Sequence, residues 1–274
     1  MSRRNRTLLA SLALAGAATA LAAPSPSAAA PRAGSSIVGG GPADPGQWPF
    51  AVAIFRKKRV HCGGSVIAPT KVLTAAHCVD GFNLSNFQVI AGRPNLRNGS
   101  AGQAVLVASG RVHPDFQQTA LHDIAVLNLA QPTTVTPVAL ATPAENSAIA
   151  VPGTSLRVAG YGAVTPFGVR LSPVLKSTFE IVRTDRRCLK AYTRDLFAPE
   201  SMICALGKKR KRPGRFKIHT SACTGDSGAP LVADTARGPV ELGTVSFGGA
   251  LCGLPQAPSV YSRVSSALDF INAG

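Results

Sequence analysis

The feature of this sequence that most constrains the fold is a serine between glycines, in the stretch Cys223-Thr224-Gly225-Asp226-Ser227-Gly228-Ala229-Pro230-Leu231. A serine hydroxyl is a poor nucleophile until a base removes its proton and fixed N–H donors receive the oxyanion. Gly225 lets the backbone approach a substrate carbonyl where a Cβ would crowd it. A chain that uses Ser227 in this way must fold so that a base from elsewhere in the sequence reaches it.

Two other stretches carry the missing partners. Leu73-Thr74-Ala75-Ala76-His77-Cys78 contains a histidine, and His122-Asp123-Ile124-Ala125-Val126 contains an aspartate. Together with Ile37-Val38-Gly39-Gly40, these stretches resemble the chymotrypsin/trypsin family of serine endopeptidases, in that family's chain order of His, Asp and Ser. The resemblance extends over about residues 37–270, nearly all of the chain after its first segment.

The resemblance assigns a role to each catalytic residue. It implies that Ser227 is the nucleophile, that His77 takes and returns the proton, and that Asp123 holds the histidine tautomer. The backbone N–H groups of Gly225 and Ser227 would form the oxyanion hole. In this family a freed N-terminus, here Ile37, pairs with the aspartate before the nucleophile, here Asp226, because a buried charge needs a partner.

The primary specificity pocket follows from the same resemblance. Its floor would be Ser221 and its walls Gly248 and Ser259, while Ser246 would orient Asp123 and hold the substrate backbone. Neither serine of the pocket is acidic, so a cationic substrate side chain would be buried without a partner at a heavy cost. We therefore expect cleavage after apolar or aromatic residues, and Ser259, where the family usually has glycine, narrows the pocket.

The fold class is predicted to be all-β. Charged residues are sparse at 15%, and Gly and Pro are frequent at 27 and 21 residues, which favours short strands with many turns. Strand patterns alone leave a sandwich or a barrel open. The resemblance implies two six-stranded antiparallel β-barrels, over residues 37–145 and 146–274, with a short C-terminal helix over 265–273. The predicted strands are 48–55, 60–67, 71–74, 87–92, 104–107, 124–129, 155–160, 175–182, 201–206, 230–232, 240–247 and 259–264.

The six cysteines allow fifteen disulfide pairings. The family pattern selects one of these, which joins Cys62 to Cys78, Cys188 to Cys204 and Cys223 to Cys252. Disulfides require an exported chain.

The first 36 residues predict export and later processing. Arg3, Arg4 and Arg6 precede a short apolar run over residues 8–23 and then small residues, which is typical of a signal peptide over residues 1–30, cleaved between about residues 22 and 30. The apolar run is shorter than the roughly 20 residues of a spanning helix. Residues 31–36 are interpreted as a propeptide, and because Ser36 precedes Ile37, a separate activating protease is expected. The composition and leader favour a secreted, extracellular protein from a bacterial source.

The chain is strongly basic, with 29 Lys and Arg against 13 Asp and Glu. Two clusters dominate, Arg56-Lys57-Lys58-Arg59 and a second that begins Lys208-Lys209-Arg210-Lys211-Arg212 and continues to Arg215 and Lys217. They are either a plain soluble surface or a binding site for acidic proteins or polyanions. The second reading keeps open an alternative function, a catalytically idle relative that binds through these clusters.

We expect no metal and no cofactor. The region that holds calcium in some relatives, residues 93–110, contains no Asp or Glu, and a hard cation needs anionic oxygens. The predicted partners are polypeptide substrates and an activating protease, and the protein is expected to be a monomer that does not bind membranes.

Overall fold

The computed structural model describes residues 37–44, 46–116, 121–209 and 218–273. The predicted signal peptide and propeptide lie outside the described residues, as do residues 210–217 of the second basic cluster. None of the helices within these ranges is long and apolar enough to cross a membrane.

The described elements are mostly strands, as the composition predicts. In chain order the strands are β1 (Gly41–Pro42), β2 (Ala51–Arg56), β3 (Arg59–Ala68), β4 (Lys71–Thr74), β5 (Phe87–Ala91), β6 (Gln103–Val112), β7 (Ala125–Leu129), β8 (Ala139–Leu140), β9 (Ser155–Gly160), β10 (Lys176–Val182), β11 (Met202–Gly207), β12 (Pro230–Thr235), β13 (Gly238–Phe247) and β14 (Ser259–Arg263). The α-helices are α1 (Pro143–Ile149), α2 (Asp185–Leu196) and α3 (Leu268–Asn272).

The first barrel is closed, with strand order β2-β3-β4-β7-β6-β5 and antiparallel pairing of β5 back onto β2. Its strands follow the two-residue period of a sheet with one buried face. In β6, for example, Val105 and Val107 point into the core, whereas Leu106 between them is 58% exposed. Large residues such as Phe50 and Phe87 fill the interior.

The second barrel is closed by β9, β10, β11, β14, β13 and β12, because β9 pairs with both β10 and β12. The two-residue strands β1 and β8 add to β10 and β13 on its outside. Leu156, Leu231, Leu242 and Tyr261 are fully buried in its core. The all-β prediction of two six-stranded barrels with a short C-terminal helix is therefore confirmed.

Two helices lie where the sequence analysis predicted none. Helix α1 spans the predicted boundary between the two barrels at residues 145 and 146, and a capping box of Thr142 with Glu145 starts it. Helix α2 begins after Thr184, whose side chain accepts a hydrogen bond from the Arg187 amide. The C-terminal helix is shorter than predicted, because a 3₁₀ turn over Val264–Ser266 precedes α3.

The two barrels are joined by a buried polar contact. Ser65 of β3 donates a hydrogen bond of 2.5 Å to the Glu241 carboxyl of β13, and both residues are fully buried. Thr244 makes a longer contact of 3.4 Å with the same carboxyl. Burial raises the pKa of the Glu241 carboxyl to about 8.

Three disulfides brace the molecule. They join Cys62 to Cys78, Cys188 to Cys204 and Cys223 to Cys252, with Cα–Cα distances of 6.2, 6.3 and 5.4 Å. The first ties the turn after β4 to β3, and the last ties the segment before Ser227 to the loop before β14.

Candidate active site

His77 lies in a 3₁₀ turn directly after β4, held by the disulfide of its neighbour Cys78. Its backbone N–H donates to Asp123 Oδ1 at 2.9 Å, and its ring Nδ1 lies 2.7 Å from Asp123 Oδ2. A carboxylate accepts hydrogen bonds, so the proton of a neutral ring is on Nδ1 and the lone pair is on Nε2. The side chain is 40% exposed, which leaves Nε2 able to act as a base towards a substrate.

Asp123 is fully buried yet well satisfied. Besides the two contacts from His77, it accepts a hydrogen bond of 2.6 Å from the Ser246 hydroxyl of β13. Because removing a charge from water is costly unless hydrogen bonds replace the lost solvation, these donors offset the burial of the carboxylate. Residues of both barrels thus hold one aspartate in place.

The nucleophile candidate Ser227 lies in a tight turn before β12. Its carbonyl accepts from the Gly63 amide at 2.7 Å, and the Gly228 amide donates to the Val245 carbonyl at 2.7 Å. Gly228 has φ +81°, and a Cβ there would come within 2.5 Å of the Gly63 carbonyl oxygen. Only glycine fits this position without distortion, so the turn that presents Ser227 depends on it.

The amides of Gly225 and Ser227 donate to no acceptor within the described part of the chain, whereas the intervening Asp226 amide donates to the Cys223 carbonyl at 2.9 Å. Gly225 has φ +88°, which turns the backbone between the two amides. Unsatisfied N–H groups beside a nucleophile are the donors that an oxyanion requires.

One cavity of about 320 Å³ brings the predicted residues together. It is lined by catalytic candidates on one side and by pocket residues on the other: His77, Gly225, Ser227, Ser221, Ser246, Gly248 and Ser259. Asp123, Asp226 and Ile37 do not line this cavity.

The activation candidates Ile37 and Asp226 are both fully buried. Asp226 accepts hydrogen bonds from the amides of Gly162 at 2.7 Å and Cys223 at 3.0 Å, and burial raises its pKa to about 7 despite them. Next to Ile37, the Val38 carbonyl accepts from the Ser221 amide at 3.1 Å. The segment that begins the described chain therefore packs under the floor of the cavity.

A residue that the sequence analysis missed lies behind the floor of the cavity. Ser221 and Ser259 are buried with their hydroxyl oxygens 2.9 Å apart. Behind them lies Glu180 of β10, fully buried, whose Oε1 accepts from the Ala222 amide at 2.8 Å and from the Ser259 hydroxyl at 3.3 Å. Pocket residues located by their alignment to the nucleophile motif are those that line the pocket. A group that lies one layer behind them is not identified in this way.

The sequence did contain a signal for Glu180. In β10 the inward positions are 180 and 182, whereas Phe179 is 50% exposed. A strand with one buried face usually has apolar side chains on the inner face and polar side chains on the outer face. In β10 an acid shares the inner face with the buried Val182 and an aromatic ring lies on the outer face, which reverses this pattern.

Comparison with known proteins agrees with this geometry. A protein-family model described as Trypsin matches residues 37–271. The chain belongs to the trypsin family of serine endopeptidases. Curated relatives include "Trypsin" of Saccharopolyspora erythraea, 33% identical over 244 residues that cover 87% of this chain and 99% of that protein. Human "Kallikrein-2" is 32% identical over 251 residues, covering 86% of this chain and 88% of its own length.

Family membership makes the chain a serine-type endopeptidase, with polypeptides as its substrates. The described lysines of both basic clusters are exposed. Lys57 and Lys58 form the exposed turn between β2 and β3, with φ of +48° and +65°, and Lys208 and Lys209 are also exposed.

Within the described ranges, one group of three side chains lies close enough together to hold a metal ion, namely Cys62, His77 and Cys78. The two cysteines form a disulfide with each other, so their sulfurs have no thiolate to offer a metal.

Proposed function

We propose that this trypsin-family chain is a secreted endopeptidase that hydrolyses peptide bonds through Ser227, His77 and Asp123. The observation that carries the proposal is the pair of contacts from His77 to the buried Asp123, at 2.7 and 2.9 Å, on the wall of a cavity that Ser227 shares. This arrangement fixes the tautomer in which His77 Nε2 is the base.

The reaction follows from these positions. His77 Nε2 takes the Ser227 proton as the hydroxyl oxygen attacks the scissile carbonyl carbon, and the carbonyl oxygen becomes an oxyanion. The amides of Gly225 and Ser227 receive that charge. The imidazolium then protonates the leaving amine, and water repeats the sequence to release the acyl group. Asp123 holds the imidazole in this tautomer and stabilises the imidazolium.

The cavity would also select the substrate side chain that precedes the scissile bond. Ser221 and Ser259 carry no charge, and the buried Ser259 hydroxyl fills space at the floor. A neutral floor favours apolar or aromatic side chains, because a cation entering it loses its hydration. The Ser259 side chain favours groups of Leu or Met size over larger ones.

Activation by cleavage before Ile37 is part of the proposal. Burial raises the pKa of Asp226 to about 7, so an ammonium group beside it would restore its charge and repay the lost hydration. The freed α-amino group of Ile37 supplies such a cation. Because Asp226 lies between Gly225 and Ser227, the ion pair would order both amides of the oxyanion hole. Export, removal of a leader and a separate activating protease complete this pathway.

The experiment compares two forms of the protein. One begins at Ile37, and the other keeps residues 31–36 in front of it. We expect the first form to cleave short chromogenic peptides with Leu, Met or Phe before the scissile bond, and to lose activity with a serine-directed covalent inhibitor or with Ser227→Ala. The second form should be at least about 100-fold slower, because the Ile37 ammonium cannot form. Equal rates for the two forms would refute the activation step, and absence of any inhibitable cleavage would refute the catalytic role of Ser227.

The basic clusters support a second property, binding of acidic proteins or polyanions. The exposed Lys57 and Lys58 stand at a hairpin tip, and Arg56 is held there by stacking over Phe82, 3.7 Å from its ring centroid. Affinity for heparin in a salt series tests this property, since electrostatic binding weakens steeply with salt. Peptidase activity that persists while heparin binding is lost would separate the two functions. Heparin affinity unchanged by Lys57→Ala with Lys58→Ala would refute a role for this cluster.

A further inference from the structure

The proposed reaction makes no use of Glu180, although its carboxyl contacts residues that form the floor of the specificity pocket. Its Oε1 lies 3.3 Å from the Ser259 hydroxyl, and that hydroxyl lies 2.9 Å from the Ser221 hydroxyl. Both serines line the cavity, whereas Glu180 lies directly behind them. A chain of hydroxyl groups therefore connects the pocket floor to a buried carboxyl.

No basic side chain neutralises Glu180 in the described part of the chain, where it forms no ion pair. Within these ranges its buried Oε2 has no partner in good hydrogen-bond geometry, although the buried Tyr261 hydroxyl lies close enough to lower the pKa of the carboxyl. A fully buried carboxyl without a basic partner is costly. Such a group is a candidate for a functional role rather than for a contribution to stability.

We propose that Glu180 determines specificity in this pocket: as a carboxylate it stabilises a Lys or Arg side chain of the substrate through the Ser259 and Ser221 hydroxyls, and as a neutral acid it leaves the pocket to uncharged side chains. The inference rests on the proposed peptidase function. It replaces a fixed apolar preference with one that depends on the ionisation of a single group.

The hydroxyl protons show how the charge would act at a distance. Ser259 has one proton, which it donates to Glu180 Oε1 when the carboxyl is ionised. Ser221 donates its own proton either to Ser259 or to the Ala222 carbonyl, at 2.9 and 2.7 Å. Both hydroxyl oxygens then keep lone pairs for the N–H groups of a guanidinium or ammonium. Entry of the cation into a pocket with neutral Glu180 releases the carboxyl proton to solvent, so charge balances within the pocket.

The surroundings of Glu180 favour a carboxyl that titrates near neutral pH. Burial raises its pKa to about 8, and the nearby charge of Asp226 acts in the same direction. The Ala222 amide and the hydroxyls of Tyr261 and Ser259 lower it. The remaining titratable neighbours are Tyr192 of α2 and Arg183 at the end of β10, whose own pKa values respond to the Glu180 charge.

A purely structural role for Glu180 makes a different prediction. If its only task were to hold the Ala222 amide, changes in its ionisation would affect all substrates alike. The test therefore compares two peptides that differ only in charge before the scissile bond, one with arginine and one with its neutral isostere citrulline. The ratio of their kcat/KM values removes effects of pH on the catalytic steps and on the proposed activation pair, because both peptides need these equally.

We expect the arginine-to-citrulline ratio to rise at least about 10-fold between about pH 6 and about pH 9, since kcat/KM follows the free enzyme and the ionised fraction of a group with a pKa of about 8 rises from about 1% to about 90%. In Glu180→Gln the ratio should stay low and flat over this pH range, whatever the absolute rates for the two peptides. Glu241→Gln is the matched control, because Glu241 is an equally buried glutamate outside the pocket, and its ratio should rise as in the unmodified protein.

A flat ratio in the unmodified protein, or a rise that survives in Glu180→Gln, would overturn the inference while leaving the peptidase function intact. Failure to cleave either peptide while a peptide with Leu before the scissile bond is cleaved would also overturn the inference, whereas failure to cleave all three would count against the proposed function itself. The unmodified protein alone gives the decisive series, so the inference stays testable if Glu180→Gln does not fold.

Discussion

Replacing Glu241 by glutamine should raise the free energy of unfolding relative to the unmodified chain at alkaline pH, and this gain should be lost at acidic pH. Glu241 is fully buried between the barrels, and burial raises its pKa from the ordinary value of 4.5 to about 8. The folded protein therefore holds this proton over a pH range in which the unfolded chain has released it. For such an acid, stability is complete below about pH 4.5 and is lost as the pH rises towards about 8.

The magnitude follows from the two pKa values. Between them, each pH unit removes about 1.4 kcal/mol from the free energy of unfolding. From about pH 5 to about pH 8 the Glu241 carboxyl thus accounts for a loss of roughly 3–4 kcal/mol. Glutamine has the shape of the neutral acid and keeps an oxygen that accepts from Thr244 or Ser65, so it should remove the pH dependence at a modest cost in hydrogen bonding.

The assay is urea unfolding with disulfides intact, followed by tryptophan fluorescence of Trp48, at several pH values. Both proteins should carry Ser227→Ala, so that self-digestion does not distort the curves. The quantity to compare is the difference in unfolding free energy between Glu241→Gln and its parent. The pH dependence that Glu180 contributes to this free energy is the same in both proteins and cancels. A difference that stays constant between about pH 5 and about pH 8 would refute the linkage argument.

Three further changes test particular contacts. Ser246→Ala removes a donor to the buried Asp123 carboxylate, and since such a bond contributes roughly 1.5–3 kcal/mol, the free energy of unfolding in urea should fall by roughly that amount, and kcat for peptide hydrolysis should fall roughly 10- to 100-fold. Gly228→Ala should lower the free energy of unfolding by more than about 3 kcal/mol, because strain at positive φ adds to a clash. Gly238→Ala, also at positive φ but in open space, should cost only about 1–2 kcal/mol, and equal losses at both glycines would contradict the packing argument. Alanine at both Cys188 and Cys204 should lower stability by roughly 3 kcal/mol in thermal unfolding, a loss that should disappear when both proteins are reduced.

The strands were predictable because their pattern is local. Alternation in segments such as β6 gives the buried face directly from the sequence. Barrel closure is different, since it depends on pairing between β5 and β2 and between β9 and β10, and no local pattern distinguishes a closed sheet from a sandwich. Only the family resemblance supplied that step.

The missed helices and the missed acid have separate causes. Helix α1 had a readable signal, because Thr142 and Glu145 are spaced as a capping box with Pro143 at the first helical position. Helix α2 buries only Cys188 and Tyr192, so its apolar stripe is too thin to stand out. Glu180 belongs to the site only through the pairing of β10 with its neighbours and the approach of β14, which are tertiary facts.

The division of the proposed catalytic residues between the barrels has a consequence for the chain as it is synthesised. His77 and Asp123 belong to the first barrel, whereas Ser227 precedes β12 of the second. A chain that ends before Ser227 therefore contains the proposed base without the proposed nucleophile. Even a full-length chain would become a protease only after the two barrels have docked and the bond before Ile37 has been cut, so two separate events protect the cell that makes it.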